Sequence, residues 1–223
     1  KSYFDKAFKK HKYEGEYYYC YCTKSSHFSF IVEETLKHNI HLETSYGYDI
    51  EIINQLYKRK KISKETHIIC NGFKQKSYTS RIAKLINSGF KNVIPVLDNK
   101  EELQMYKGRI RTGEPFKLGI RIAAEEEPSF PFYTSRLGIK ARDILEFYVD
   151  EIEGNEDKFQ LKMLHIFLNK GIKDDIYYWS ELNKSINLYC QLKKICPELD
   201  SINIGGGFPI KHSLAFEYDY QFM

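Results

Sequence analysis

The stretch EYYYCYCTKSSHFSF, residues 16–30, decides how the rest of the chain is interpreted. Its first half is a run of aromatic and Cys residues typical of a strand, and the run ends abruptly at Lys24 with small polar residues after it. A lysine at a strand end is usually an ordinary solvated residue, but a reactive amine at the mouth of a pocket occupies the same kind of position. The remaining sequence has to distinguish these two alternatives.

The composition is that of an ordinary globular protein. The 223 residues are 42% hydrophobic and 29% charged, which allows one large domain, or two small ones, with a sizeable core. The 34 basic and 30 acidic residues are scattered and give a net charge of only +4. We therefore expect no nucleic-acid partner, and because no apolar run approaches the length of a membrane span, no membrane partner.

The cysteines indicate a reducing, cytoplasmic environment. Their number is odd, most lie within apolar runs, and none forms a CxxC pair or a zinc-type spacing with histidines. The five positions are 20, 22, 70, 190 and 196. The sequence also begins at Lys1 rather than Met and ends in FEYDYQFM, so we expect a piece of a longer protein.

Strand-like and helix-like segments alternate along the whole chain. This alternation predicts parallel strands joined by right-handed helical crossovers, as in a (β/α)₈ barrel that is truncated after its seventh strand. A doubly wound open sheet is the alternative, because periodicity alone does not separate the two. The predicted strands are 17–23, 40–45, 67–72, 92–97, 117–123, 161–168 and 201–206. The predicted helices are 28–39, 49–60, 78–89, 100–109, 141–152 and 177–196.

The residues at the carboxyl ends of the strands test for a function, because active sites of parallel barrels lie there. Several of these residues carry polar, charged or aromatic side chains, or are glycines. In strand order they are Lys24, Glu43, Cys70–Gly72, Arg136, His165, Phe167 and Gly205–Gly207.

Three successive glycines after the seventh strand indicate a phosphate site. Without side chains, their backbone N–H groups can converge on an anion, and barrels often bind phosphate in the loops after strands seven and eight. A tight strand-to-loop turn is the structural alternative. A phosphate site together with Lys24 on a barrel strand points to pyridoxal phosphate, whose aldehyde needs an amine for a Schiff base.

Several motifs resemble a known family. YYYCYCTKSSH (17–27) resembles the strand that carries the Schiff-base lysine in the alanine-racemase-like, fold type III pyridoxal phosphate enzymes. The likeness runs through essentially all 223 residues in the right order and is nearest to the biosynthetic arginine decarboxylase branch. The other matching motifs are LETSYGYDIEII (42–53), IICNGFK (68–74), PVLDNKEEL (95–103), SRLGI (135–139) and NIGGGFPI (203–210).

The sixth strand departs from the family pattern. Family members usually carry HFHLGSQ, with the second His against the cofactor ring and the Ser on the phosphate, whereas this chain reads HIFLNKG (165–171). His165 matches the first His, Phe167 stands in place of the stacking His, and Lys170 replaces the Ser. A Phe ring stacks on a pyridine ring but donates no hydrogen bond. Lys170 reaches either the phosphate or solvent.

The resemblance implies a set of site residues and a reaction. Lys24 would be the catalytic amine, and the other cofactor-binding residues would be Glu43, Arg136, His165, Phe167 and Gly205–Gly207. The reaction would convert L-arginine to agmatine and carbon dioxide in polyamine biosynthesis, and the full-length protein would be a homodimer or a higher homo-oligomer. Residues 1–223 would form an incomplete barrel domain lacking the carboxyl-terminal β domain, and we expect this piece to be inactive alone.

Three alternatives to an arginine decarboxylase remain open. A related decarboxylase would act on ornithine, lysine, diaminopimelate or carboxynorspermidine. A non-catalytic protein would bind pyridoxal phosphate for its homeostasis. A regulatory pseudo-enzyme would keep the fold without the chemistry, although the presence of Lys24 and Gly205–Gly207 argues against that.

Overall fold

A single sheet of parallel strands organises the protein. The structure is a computed structural model that describes residues 2–123, 137–168, 175–209, 211 and 213–219. Within these ranges seven strands pair in parallel in their order along the chain. They are β1 (Cys20–Cys22), β2 (His41–Thr44), β3 (Ile68–Cys70), β4 (Val93–Leu97), β5 (Phe116–Arg121), β6 (Phe159–His165) and β7 (Ser201–Asn203).

Helices connect successive strands, and one further helix precedes the first strand. All seven predicted strands and all six predicted helices are confirmed with shifted ends, whereas α1 was not predicted. No described helix is long and apolar enough to cross a membrane. The helices are α1 (Ser2–Lys10), α2 (Ser29–Leu36), α3 (Gly47–Lys58), α4 (Lys76–Asn87), α5 (Glu102–Tyr106), α6 (Ala141–Glu151) and α7 (Asp175–Lys193).

The sheet is curled as in a barrel. In a flat sheet β3 and β6 would lie about 14 Å apart. Instead Nδ2 of Asn71, just after β3, is 2.9 Å from Nε2 of His165 on β6. The strand order also runs from β1 to β7 without the reversal that defines a doubly wound sheet. The described strands therefore form the curled parallel sheet of a truncated barrel, and the open-sheet alternative is wrong.

Side-chain alternation along the strands separates two cores. One large core lies between the sheet and the helices, and a smaller cluster of Ile69, Ile94, Val96 and Met163 packs on the other face, with Cys20 beside it. Gly119 makes room there, because a Cβ at this position would lie 3.3 Å from atoms of Met163 and Val96. This small cluster forms an apolar floor inside the curled sheet.

Candidate functional site

Polar and aromatic side chains gather above the apolar floor, at the carboxyl ends of the strands. They come from residues at the ends of six strands or directly after them, which the curl brings around a common space. The group consists of Lys24, Glu43, Asn71, Asp98, Arg121, His165 and Phe167. We refer to it as the candidate site.

Lys24 lies in a single 3₁₀ turn, Thr23–Ser25, that follows β1 directly. The buried Thr23 hydroxyl donates to the carbonyl oxygen of Glu43 at 3.1 Å and so ties this turn to β2. The Lys24 side chain is exposed, and its Nζ lies 5.6 Å from the centre of the Phe167 ring. The strand end therefore delivers the amine to the rim of the candidate site, beside an aromatic face.

Asn71 connects Glu43 to His165. Its Oδ1 accepts a hydrogen bond from the Gly72 N–H at 3.1 Å, so its amide nitrogen faces the other way. Nδ2 then donates to Oε1 of Glu43 at 3.4 Å and to Nε2 of His165 at 2.9 Å. Because Nε2 accepts this hydrogen bond, the neutral His165 ring carries its proton on Nδ1.

His165 is held in its neutral form. Its side chain is 1% exposed, and burial lowers its pKa to about 3, with the charge of Arg121 acting in the same direction and Asn203 against it. A neutral imidazole at this depth serves as a fixed hydrogen-bond acceptor for Asn71 and not as a proton donor near neutral pH.

Arg121, at the end of β5, is a site residue that the sequence analysis missed. Its side chain is 7% exposed, and Cζ lies 5.2 Å from the centre of the Phe167 ring. Nη1 lies 3.7 Å from Oδ1 of Asp98. Burial lowers the pKa of Arg121, and the charges of Asp98 and Glu43 act against that. The signal was a charged residue within the apolar run KLGIRIA.

Phe167 thus has two cations near its ring. Lys24 and Arg121 both approach its ring within cation–π distance. The ring is partly exposed, whereas His165 two residues earlier is buried. The two residues therefore differ in role, since His165 belongs to the hydrogen-bonded interior and Phe167 presents an aromatic surface to the common space.

Gly205 and Gly206, the first two of the three glycines after β7, have different surroundings. Gly205 has φ +72°, and a Cβ there would lie 2.5 Å from the Ile166 carbonyl oxygen. Its N–H donates to Oδ1 of Asn203 at 2.8 Å. A Cβ on Gly206 would meet no atom within 4 Å. The tight-turn alternative therefore explains Gly205, whereas Gly206 borders open space that a ligand can enter.

Two residues considered in the sequence analysis lie outside the described residues, namely Arg136 and Lys170. Within the described ranges, no group of three or more His, Cys, Asp or Glu side chains is arranged to hold a metal ion. All five cysteines are free.

Comparison with known proteins agrees with this picture. No family model matches the chain. It is 26% identical over 227 residues to the biosynthetic arginine decarboxylase of Shewanella piezotolerans, and the alignment covers 97% of this chain but 34% of that protein. The chain is therefore similar in sequence to biosynthetic arginine decarboxylases. It spans about a third of the length of the curated relatives it matches.

Solved structures of decarboxylases share the fold of this chain. Diaminopimelate decarboxylase from M. jannaschii superposes with a TM-score of 0.75 at 18% identity, covering 99% of this chain and 51% of that one. An SrLDC mutant in complex with PLP superposes with a TM-score of 0.69 at 14% identity, covering 86% of this chain and 46% of that one. These likenesses confirm the barrel fold.

The buried His165 predicts a specific acid sensitivity. Its pKa is about 6.5 when unfolded and about 3 when folded, so the unfolded state binds one more proton between these values. The free energy of unfolding should therefore fall by about 1.4 kcal/mol per pH unit as the pH drops through this window. In the variant His165→Gln, the side-chain oxygen still accepts a hydrogen bond from Asn71. Urea unfolding between pH 7 and pH 4 should show that the free energy of unfolding of this variant falls less steeply with decreasing pH than that of the unmodified protein. The exposed His38→Gln is the control, and equal slopes in the two variants would contradict the assignment.

The glycine turn predicts opposite results at neighbouring positions. Gly205→Ala should lower the free energy of unfolding by about 2–4 kcal/mol, because the Cβ requires a strained backbone and collides with Ile166. Gly206→Ala should change it by less than about 0.5 kcal/mol. Denaturant unfolding of both variants measures the difference, and an equal loss in both would show that the turn is described wrongly.

Proposed function

We propose that this chain forms the cofactor-binding barrel of a pyridoxal-phosphate-dependent amino-acid decarboxylase. The observation that carries the proposal is the position of Lys24, whose amine lies over the face of Phe167 at the carboxyl ends of the barrel strands. An amine beside an aromatic surface is the arrangement that an aromatic aldehyde cofactor needs. The similarity to biosynthetic arginine decarboxylases supports the same chemistry.

The residues present fit this cofactor. Lys24 supplies an amine for the aldehyde, Phe167 supplies a face for the ring, and Gly206 borders open space for the phosphate. One buried polar atom next to Phe167, Nε of Arg121, has no hydrogen-bond partner among the described residues. Buried polar atoms without partners are rare in proteins and indicate a site where a further group binds.

The cofactor, when bound, supplies the electron sink for breaking the bond to the α-carboxylate. The chain's own residues then have separate tasks. Lys24 would hold the cofactor through its amine, and Phe167 would offer its ring an aromatic surface without donating a hydrogen bond. Asn71 fixes the Glu43 carboxylate and the neutral His165 beside that space. Arg121 adds a buried positive charge next to Phe167.

We further propose L-arginine as the substrate, with agmatine and carbon dioxide as products. This choice rests on the names of the curated relatives, which are biosynthetic arginine decarboxylases. The structural neighbours include lysine, diaminopimelate and ornithine decarboxylases. The same resemblance supports a cytoplasmic homodimer with a carboxyl-terminal β domain. It also supports a cofactor contact by Arg136, which, like Lys170, lies outside the described residues.

A spectrum of the full-length protein tests the role of Lys24. With pyridoxal phosphate we expect an absorbance band near about 420 nm that borohydride fixes covalently, because an imine to lysine is reducible. Lys24→Ala should lose both the band and the fixation. The exposed Lys58→Ala, on α3, should keep both. Fixation that persists in Lys24→Ala would assign the amine to another residue.

Release of carbon dioxide tests the substrate. Arginine, ornithine, lysine and diaminopimelate are compared at equal concentration with the full-length protein saturated with pyridoxal phosphate. We expect arginine to react with the highest kcat/KM, by at least about tenfold. A protein that binds the cofactor and releases no carbon dioxide from any of the four would favour the homeostasis alternative instead.

A further inference from the structure

Lys74, which follows β3, is a buried cation that the proposed reaction does not use. Its side chain is 0% exposed. Nζ donates to the carbonyl oxygens of Gly72, at 2.6 Å, and of Val96, and lies 3.7 Å from Oε2 of Glu102. Burying a charge is costly unless it is paired and hydrogen-bonded, so this lysine is retained at a substantial cost.

Glu102 fixes Lys74 beside the end of β4. Its Oε1 accepts from the backbone N–H of Lys74 at 2.9 Å, and its Oε2 accepts from the backbone N–H of Asp98 at 3.0 Å. The buried carboxylate of Glu102 therefore joins the loop after β3 to Asp98, the residue that directly follows β4. The charge of Asp98 raises the pKa of Lys74 against the effect of burial, so the two side chains interact electrostatically across this clamp.

Asp98 depends on cations for its charge. Its side chain is 3% exposed, and neither carboxylate oxygen has a hydrogen-bond partner among the described residues. Burial raises the pKa of Asp98, and the charges of Lys74 and Arg121 lower it again. The Asp98 carboxylate is the ion-pair partner of Arg121, at 3.7 Å. A loss of the Lys74 charge therefore weakens the group that holds Arg121.

We propose that Lys74 is a positioning residue that acts through Asp98 to hold the Arg121 guanidinium across the ring of Phe167. The buried charges alternate in sign from Glu102 through Lys74 and Asp98 to Arg121, and the last of them borders the candidate site. Without Lys74, the buried carboxylate of Asp98 keeps only Arg121 as a cation that lowers its pKa, so Asp98 is more readily protonated and holds Arg121 less firmly. The consequence for the cofactor rests on the function proposed above.

Hydrogen exchange of the Arg121 Nε–H tests this positioning without any cofactor. The full-length protein is labelled with ¹⁵N in its arginine side chains, and the Arg121 resonance is assigned by its loss in Arg121→Lys. Lys74→Met and Asp98→Asn should each accelerate this exchange about tenfold, because the guanidinium is no longer held in the interior. The exposed Lys76→Met, two residues further along, should leave the exchange unchanged.

A double variant tests whether Lys74 acts through Asp98. Exchange in Lys74→Met/Asp98→Asn should be no faster than in either single variant, because both remove the same interaction. Additive effects, or unchanged exchange in folded Lys74→Met, would overturn the proposal. If Lys74→Met does not fold, the double variant Lys74→Met/Glu102→Gln is used in its place, because it removes both buried charges of the pair. The exchange of the Arg121 Nε–H should again be about tenfold faster than in the unmodified protein.

Cofactor affinity provides the second measurement. The Kd for pyridoxal phosphate should rise about tenfold in Lys74→Met and not in Lys76→Met. A purely structural Lys74 would lower the stability of the variant and leave both the Kd and the Arg121 exchange as they are, which would overturn the proposal. If the unmodified protein does not bind the cofactor, the proposed function fails, whereas the exchange measurement still decides the role of Lys74.

Discussion

A hydrogen bond across the interior, from Asn71 to His165, is the interaction on which the candidate site depends. It joins the ends of β3 and β6, which a flat sheet would hold about 14 Å apart, so it exists only because the sheet is curled. The same amide nitrogen also binds Glu43. The hydrogen bond therefore sets the tautomer of His165 and the position of a carboxylate at once, and burial keeps the imidazole neutral.

The pairing of buried charges is the second constraint on the structure. It connects the segments that follow β3 and β4 with the interior of the curled sheet. Lys74, Glu102, Asp98 and Arg121 are all nearly or fully buried, at the carboxyl ends of three neighbouring strands. Each charge is tolerated because its neighbours have the opposite sign, and in a medium of low dielectric constant such groups hold one another tightly. A rigid group of this kind positions the Arg121 guanidinium beside Phe167 without contributing to the chemistry.

The sequence analysis identified Lys24, Glu43, His165 and Phe167 but missed the buried charged residues Arg121, Asp98 and Lys74. Lys24 and Phe167 were found because the strand ends of a parallel barrel form its functional face. Asp98 was not singled out as a site residue, because nothing in the motif PVLDNKEEL shows that its carboxylate is buried. Arg121 and Lys74 were missed because a pattern along the chain does not reveal which charges are buried together.

The alternation of strands and helices, their parallel pairing and the delivery of Lys24 to a strand end were determined by the sequence alone. These are local properties, set by side-chain periodicity and by the handedness of crossovers. Tertiary structure alone decided that the sheet curls, that Asn71 meets His165 94 residues further along, and that Gly205 serves the turn whereas Gly206 borders open space. Such contacts depend on how separate strands pack in space, and that packing brings together residues which share no local pattern.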